Sequence, residues 1–342
     1  MNCTKEESWA LVEKYWEREW KKIQGTDLPD TREFPISDEH LVREFENLRD
    51  LPLKDKAKSD MIHRFFPSIF MANKGGHLSP VEYWKKLQED PELFKKFLEN
   101  RYRCSDWYNE KDKADPEKKR SNRHYLEEGY VPPFIYAIGC TTSGKAPCVS
   151  YFKPSYVKNL IARYATNCET VFDPCCGYGK FLGALAAGKK YVGRDINDVT
   201  IKENKDCLAF IEEHFPELKG KADLAVGDMF ASTGKYDAMI TCPPYSDEKG
   251  KQIEVWQSSA GKVECQFTCD EIISALLKNY ECGVYVFVVD DSMQRYRSYI
   301  KEKFENVNYI NSRNGKLTDA SHNYEAVVVI MKDERDLLLK LI

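Results

Sequence analysis

The 342-residue chain lacks several features that would place it in a class directly. It has no excess of basic residues, because 51 Lys and Arg against 55 Asp and Glu give a net charge of −4, which argues against a histone-like or ribosomal-type basic protein. No apolar run approaches the length of a membrane span, and the polar start Met1–Glu7 does not resemble a signal peptide. We therefore expect an intracellular protein (cytoplasm or nucleoid, of cellular or viral source) with no membrane partner.

The 12 cysteines also lack the paired Cys-x2-Cys spacing of a structural zinc site. Cys265 and Cys269 come near that spacing, but no clear second pair accompanies them. Scattered cysteines without a secretion signal are typical of a reducing compartment. The sequence therefore predicts thiols and no metal site.

The content of hydrophobic residues (42%) and aromatic residues (13%) excludes global disorder. Before residue 130 the dominant pattern is helical. Ser79–Glu82 is a capping box with Pro80 at the first helical position. An earlier apolar stripe at helical spacing predicts a helix that packs in a core or an interface rather than a surface that stacks on bases; its members are Trp9, Val12, Trp16, Trp20 and Ile23.

Two stretches interrupt the helical pattern. Residues 111–123 contain six basic and three acidic residues, so the stretch is either a solvated loop or a contact for nucleic-acid phosphates. Residues 131–146 are rich in Pro, Gly, Thr and Ser, which indicates either a domain boundary or a loop over an active site. We predict a helical N-terminal region over 1–140 and a second domain over 141–335.

The second domain alternates apolar strands with helices, a pattern that predicts a parallel α/β sheet covered on both faces. The predicted strands are 170–173, 191–195, 223–226, 236–241 and 283–289. No helix-length segment separates 307–310 from 326–330, so these two are predicted to form a terminal antiparallel hairpin.

Three carboxylates fall where predicted strands end, namely Asp173, Asp195 and Asp228. Ligands of such sheets bind beyond the carboxyl ends of the strands, although strand-end caps are the plainer explanation of each residue. The loop after Asp173 has glycines at 177 and 179, but Leu182 stands where a dinucleotide fingerprint has its third glycine. The P-loop sequence is absent as well, so a nucleoside without phosphates fits better than a pyrophosphate.

The strand over 236–241 is followed by Cys242, Pro243, Pro244 and Tyr245. Two prolines stiffen a turn and remove two N–H donors, while their carbonyls stay available as acceptors. Such a turn beside a tyrosine ring suits a planar amine, whose ring stacks on the tyrosine and whose amino hydrogens reach the carbonyls.

Together, the segments 151–195 and 241–245 resemble the S-adenosylmethionine-dependent, amino-methylating DNA methyltransferases, in the gamma-like motif order. The resemblance covers about residues 150 to 332. It implies a Rossmann-like methyltransferase sheet with a terminal antiparallel hairpin, S-adenosyl-L-methionine as cofactor, and methylation of adenine N6 or cytosine N4 in DNA.

The resemblance also implies a role for each matching residue. Cys242 to Tyr245 would form the catalytic tetrapeptide, in which Tyr245 stacks on the target base. The remaining matches would bind the cofactor. Asp173, Gly177 and Gly179 would hold its methionine moiety, Asp195 would bind the ribose hydroxyls, and Ile196, Asp228 and Met229 would lie at the adenine. The other predicted cofactor residues are Phe152 and Pro154, which would flank the cofactor, and Pro174 and Cys175.

Cys242 departs from the family, which has Asp, Asn or Ser at that position. A thiol is a weak hydrogen-bond acceptor, and its size is closest to the serine of the cytosine-N4 enzymes. A nucleophilic cysteine and an inactive enzyme are the other two interpretations. For the whole chain, the alternatives are an RNA base methyltransferase, a protein glutamine methyltransferase and a cofactor-fold binding module. The loop 246–268 is short and not basic, so we expect the N-terminal region to hold the substrate.

Overall fold

The computed structural model describes residues 5–25, 36–53, 57, 59–74, 77–99, 151–243, 254–258, 261–263, 269–289 and 326–332. Its helices are α1 (Lys5–Ile23), α2 (Asp38–Asp50), α3 (Asp60–Phe65), α4 (Pro80–Glu89), α5 (91–99), α6 (Pro154–Tyr164), α7 (Lys180–Ala186), α8 (Asp198–His214) and α9 (Cys269–Asn279), with short 3-10 turns at Pro67–Phe70 and Pro216–Leu218. Its strands are β1 (Asn73–Lys74), β2 (Thr170–Asp173), β3 (Lys190–Asp195), β4 (Ala222–Val226), β5 (Gly234–Thr241), β6 (Glu254–Ser258), β7 (Gly261–Val263), β8 (Tyr280–Val289) and β9 (Ala326–Met331).

The chain divides into two compact units. The helical unit comprises Met1–Phe34 with Ile69–Val149, and the sheet unit comprises Pro35–Ser68 with Ser150–Ile342. The sequence predicts a division near residue 140, whereas residues 35–68 group with the sheet unit. The functional roles of the two predicted domains stay a prediction.

In the helical unit, α1, α4 and α5 share one apolar core. Val12 and Trp84 are buried in it, and Trp20 and Phe94 pack with ring centroids 5.5 Å apart. The tryptophans of the predicted stripe pack against this core. Ser79 caps α4 through the predicted box, with its hydroxyl accepting the Glu82 N–H and its own N–H donating to the Glu82 carboxylate.

The sheet unit contains a six-stranded sheet in the order β4-β3-β2-β5-β8-β9. Its pairs are parallel except for β9, which runs antiparallel to β8. This confirms the predicted α/β sheet with a terminal antiparallel strand. The predicted strand at 307–310 lies outside the described residues. Part of the predicted loop 246–268 is instead a short antiparallel hairpin of β6 and β7.

Aromatic side chains fill one face of the sheet. Phe172 of β2 stacks on Tyr236 of β5 with ring centroids 4.2 Å apart, and Tyr280 of β8 lies 4.7 Å from Phe172. The buried positions concentrate in β2, β8 and the second half of β5, whereas β3, β4 and the first half of β5 also have exposed positions.

The early segment 36–68 packs on the sheet unit through α2 and α3. Phe45 of α2 lies 4.9 Å from Phe215, between ring centroids. Lys158 of α6 donates to the carbonyls of Leu48 and Arg49 at the end of α2, over 2.6 and 2.8 Å. A cation on these carbonyls satisfies acceptors that the helix itself leaves without partners.

Candidate active site

The strand order reverses at β2, which lies between β3 and β5. Open α/β sheets bind their ligands beyond the strand ends at such a reversal. Asp173 ends β2 and Thr241 ends β5, and the Thr241 hydroxyl donates to Asp173 Oδ1 over 2.7 Å. The predicted cofactor loop and the predicted catalytic tetrapeptide therefore begin side by side, joined by a buried hydrogen bond.

Asp173 is fully buried and has four polar partners. Besides Thr241, its carboxylate accepts hydrogen bonds from the Cys175 N–H over 3.1 Å and the Tyr191 hydroxyl over 3.0 Å. Lys180 Nζ lies 2.8 Å from Asp173 Oδ2. Such a saturated carboxylate organises the loop around it and has little capacity left for a ligand.

Lys180, the first residue of α7, is a functional residue that the sequence analysis missed. Its side chain is only 4% exposed. Burial is the largest single influence and opposes the charged ammonium, but Asp173, Cys242 and Cys175 together raise the pKa of Lys180 above its ordinary value. Its Nζ also donates to the Cys175 carbonyl over 2.6 Å and lies 5.6 Å from the centroid of the Phe152 ring. A sequence signal exists, since Lys180 is the one charged residue in the apolar run 180–187.

The loop between β2 and α7 needs glycine at two positions. Gly177 and Gly179 have φ angles of 48° and 67°, which L side chains rarely adopt. A Cβ on Gly177 would be in van der Waals contact with Lys180 Cε at 3.8 Å and the Cys175 carbonyl oxygen at 3.9 Å, so it is the backbone conformation and not a lack of space that requires glycine here. Asn204 of α8, also missed, clamps the loop by donating to the Gly177 carbonyl and accepting the Gly179 N–H over 3.1 Å.

Helix α3 closes the other side of this loop. A Cβ on Gly179 would overlap with the side chain of Ile62, and the Phe66 ring meets the Tyr178 ring edge-on with centroids 5.9 Å apart. The early segment of the chain therefore forms part of the wall behind the predicted cofactor loop.

Asp195 ends β3 and receives two backbone donors. Its Oδ2 accepts the Gly177 N–H over 2.9 Å, and its Oδ1 accepts the Asn197 N–H over 3.0 Å. Burial raises the pKa of Asp195, and these two hydrogen bonds partly offset it. Each oxygen keeps a second lone pair, so the carboxylate can still accept hydroxyl groups of a ligand.

The adjoining part of the strand edge faces solvent. Ile196 is 58% exposed, and Asp228 is exposed while its Oδ1 accepts the Phe230 N–H over 2.8 Å. The Gly227 N–H donates to the Asp195 carbonyl over 3.0 Å, which holds the residues after β4 beside the end of β3. Met229 packs against the aromatic core of the sheet, with its Sδ 3.4 Å from Cys175 Sγ.

The thiols around β2 differ in setting. Burial, and after it a neighbouring carboxylate, raises the pKa of the Cys175 and Cys176 thiols well above the ordinary value. They are neutral packing groups, as is typical of buried cysteines. Cys242 follows β5 and is half-buried, and Pro243 after it is buried. The predicted catalytic residues Pro244 and Tyr245 lie outside the described residues, as does the basic stretch 111–123.

Phe152 and Pro154 lie at the start of α6. The Phe152 ring stacks on Tyr156 with centroids 5.0 Å apart, and Pro154 is buried at the first turn of the helix. Through Lys180, Phe152 lies next to Asp173 and Cys175. The described part of the chain thus brings together the predicted residues of β2, β3 and α6, and it places Asp228 and Ile196 at the open end of the same edge.

Comparison with known proteins gives similarity in fold. No protein-family model matches the chain, and no curated protein sequence matches it. A magnesium protoporphyrin IX methyltransferase from Synechocystis, solved with bound SAM, is 14% identical, with 52% of this chain and 79% of that chain covered and a TM-score of 0.34. A ribosomal protein L11 methylase from Lactobacillus delbrueckii is 16% identical over 55% of this chain and 82% of that chain, with a TM-score of 0.32.

A 16S rRNA N2 methyltransferase from T. thermophilus, in complex with AdoMet and guanosine, is 15% identical over 54% of this chain and 44% of that chain, with a TM-score of 0.35.

Among the helices of the described residues, none is long and apolar enough to cross a membrane. The strand order of this chain makes the sheet unit a Rossmann-like, doubly wound α/β fold, with an added antiparallel last strand.

Proposed function

We propose that this chain transfers a methyl group from S-adenosyl-L-methionine to an exocyclic amino group of a base in DNA, either adenine N6 or cytosine N4. The observation that carries the proposal is the hydrogen bond between Thr241 and Asp173 at the point where the strand order reverses. It ties the start of the predicted acceptor turn to the start of the predicted cofactor loop, which is the proximity that methyl transfer needs.

The open end of the strand edge fits the nucleoside part of this cofactor. Asp195 has acceptor capacity for ribose hydroxyls, as acids at this position do in dinucleotide folds. Ile196 offers an exposed apolar side chain to the face of an adenine, and the exposed carboxylate of Asp228 can accept its amino group.

The other end of the strand edge, the closed end, is the buried region around Asp173 and Lys180. It supports the cofactor indirectly in this proposal. Asp173 forms an ion pair with Lys180 and accepts the Cys175 N–H. These two contacts fix the loop between β2 and α7, which would lie next to the bound cofactor. Lys180 compensates the buried charge of Asp173, so the loop keeps one conformation before and after the ligand binds. Preorganisation of this kind lowers the cost of binding.

When bound, S-adenosyl-L-methionine supplies an electrophilic methyl group. The chain's own contribution is to orient the amine: the carbonyl of Pro243 and the sulfur of Cys242 accept the amino hydrogens, so that the nitrogen lone pair points away from them. Tyr245 stacks on the base. A base in a duplex has to leave the stack to reach this turn, and the basic stretch 111–123 is the proposed contact for the phosphates of the flanking strand.

The test is a radiolabelled methyl-transfer assay on the full chain with duplex DNA and with structured RNA, followed by mass spectrometry of the nucleosides. We expect N6-methyladenine or N4-methylcytosine in the DNA arm. Tyr245→Ala and Asp195→Asn should each lower the rate at least about 100-fold, by loss of base stacking and of cofactor hydrogen bonds. Asp206→Asn on the exposed face of α8 is the matched control and should keep the wild-type rate.

Each contrary result removes a specific part of the proposal. Methylation confined to RNA would show that the acceptor class is wrong. Cofactor binding without transfer to either nucleic acid would leave a protein glutamine methyltransferase or a binding module. Full activity in both Tyr245→Ala and Asp195→Asn would refute the assignment of the site.

A further inference from the structure

A cluster of metal-ligating side chains lies away from the strand edge, between α2 and α3. His40 and Glu44 stand one turn apart on α2, and Asp60 is the first residue of α3. One ligand atom from each of the three residues lies within 4.8 Å of the other two. His63 lies one turn after Asp60, and its Nδ1 is 3.8 Å from Asp60 Oδ1.

The donor atoms in this cluster are already oriented. His40 Nε2 lies 3.0 Å from Asp60 Oδ2. Glu44 Oε2 accepts the backbone N–H groups of Asp60 and Met61 over 2.8 and 3.3 Å, and hydrogen-bonded carboxylates of this kind are typical supports of metal ligands. The side chains of His40 and Asp60 are 55% and 44% exposed, so an ion can reach them from solvent.

We propose that His40, Glu44 and Asp60 form a binding site for a Zn²⁺ ion, with His63 or a water molecule as the fourth ligand. Imidazole nitrogen with carboxylate oxygens is a donor set that suits Zn²⁺, whereas Mg²⁺ and Ca²⁺ prefer oxygen alone. The two carboxylates carry negative charge that a divalent cation would balance. This site is separate from the proposed methyl transfer and does not depend on it.

The ion would replace the hydrogen bond between His40 and Asp60, while the ligand atom of Glu44 lies within 4.8 Å of the other two. Zinc–ligand bonds of about 2.0 to 2.2 Å separate neighbouring ligand atoms by about 3.3 Å in a tetrahedral site. The present 3.0 Å between His40 Nε2 and Asp60 Oδ2 therefore needs to widen by only a few tenths of an ångström. His40 must offer the lone pair of Nε2 to the ion, so its N–H has to lie on Nδ1, and the contact with Asp60 is replaced by bonds to the ion.

The site would brace α2 against α3, and α3 forms the wall behind Gly179 through Ile62. An ion here is thus placed to stabilise the segment 36–68 on the sheet unit. It would act as a structural clamp, since none of its ligands is among the residues that we assign to methyl transfer.

The test is Zn²⁺ titration of the full chain, first freed of metal with a chelator, by calorimetry at pH 7.5. We expect one ion per chain and a rise in melting temperature when Zn²⁺ is added. His40→Ala and Asp60→Asn should each weaken binding at least about 100-fold. His77→Ala, which removes an exposed histidine of the helical unit, is the matched control and should bind as the wild type does.

Two further measurements keep the proposal falsifiable if a variant is unstable. In the first, Co²⁺ replaces Zn²⁺ and should give visible absorption bands in the wild type and in His77→Ala, but not in His40→Ala. In the second, a thermal melt of each variant in the presence of chelator shows whether that variant folds without metal. An excess of Mg²⁺ should not compete. The proposal is overturned if the wild type binds no Zn²⁺, or if folded His40→Ala and Asp60→Asn bind it as tightly as the wild type.

Discussion

Asp173 and Asp228 both follow strands of one parallel sheet, but their surroundings are opposite. Asp173 is fully buried and bonded to a lysine, a tyrosine, a threonine and a backbone N–H. Asp228 faces solvent, where its carboxylate accepts the Phe230 N–H. Asp195 lies between the two, with two backbone donors and spare lone pairs. Position at a strand end therefore marks a carboxylate as a candidate ligand residue. Burial and hydrogen-bond partners then decide which carboxylate stabilises the fold and which is free to bind a ligand.

The largest effect should come from Asp173→Asn. This change leaves the Lys180 ammonium buried without its counter-charge, and breaking a buried ion pair from one side costs about 3 to 5 kcal/mol. We expect the free energy of unfolding, measured by urea denaturation, to fall by that amount. Asp206→Asn, on the surface, should change it by less than about 0.5 kcal/mol. If Asp173→Asn unfolds like the wild type, the closed end of the edge is not held by this pair.

The next effect concerns the support behind the closed end, where Glu203 of α8 binds Ser68. Glu203 accepts the Ser68 N–H over 2.9 Å and the Ser68 hydroxyl over 2.5 Å. Burial raises its pKa to about 7. The folded chain therefore holds this proton more tightly than the unfolded chain does, and the resulting stability is complete below the unfolded pKa and is lost as the pH rises through about 7.

Between pH 5 and pH 8, we expect the wild type to lose at most about 3 kcal/mol of unfolding free energy through Glu203. Glu203→Gln cannot titrate, so its stability should vary less over this range. The measurement is urea denaturation of both proteins at several pH values, and the difference between the two curves isolates Glu203 from the other titrating groups. Parallel curves would contradict the prediction.

The smallest effect should come from Asp228→Asn. The amide oxygen can still accept the Phe230 N–H, so the free energy of unfolding should stay within about 0.5 kcal/mol of the wild type. Loss of one charged acceptor for the adenine should weaken cofactor binding about fivefold, equivalent to about 1 kcal/mol, as measured by calorimetry. A loss of stability near that of Asp173→Asn would erase the contrast between the two ends of the edge.

The strands, and the carboxylates at their ends, were predictable because they depend on local pattern, whereas the ligand-binding role of these carboxylates stays a prediction. The apolar run before Asp173 and the carboxylate at its end are visible within a few residues, and the same holds for the run that ends at Asp195. The α/β sheet and its antiparallel last strand follow from the spacing of such runs. The turn at Cys242 is conspicuous because two prolines after a strand are unusual.

The partners of these residues were not predictable from local pattern. Asn204 and Lys180 meet the loop only after α7 and α8 have packed on the sheet; Lys180 stands out as a charged residue in an apolar run, but nothing in that run names Asp173 as its partner. The grouping of residues 35–68 with the sheet unit depends in the same way on contacts with distant parts of the chain. The saturation of Asp173 could not be foreseen, since three of its partners come from three different elements.

The bond between Lys158 and the end of α2 joins residues 110 positions apart, and the bond between Ser68 and Glu203 spans 135 positions. During synthesis, α2 and α3 leave the ribosome long before the strands and helices on which they rest. Their apolar side chains, including Phe45 and Ile62, stay exposed to solvent or are covered by other partners until α6 and α8 have been synthesised. Such distant pairing slows folding, and a fragment that starts at residue 141 would lack the wall behind Gly179 altogether.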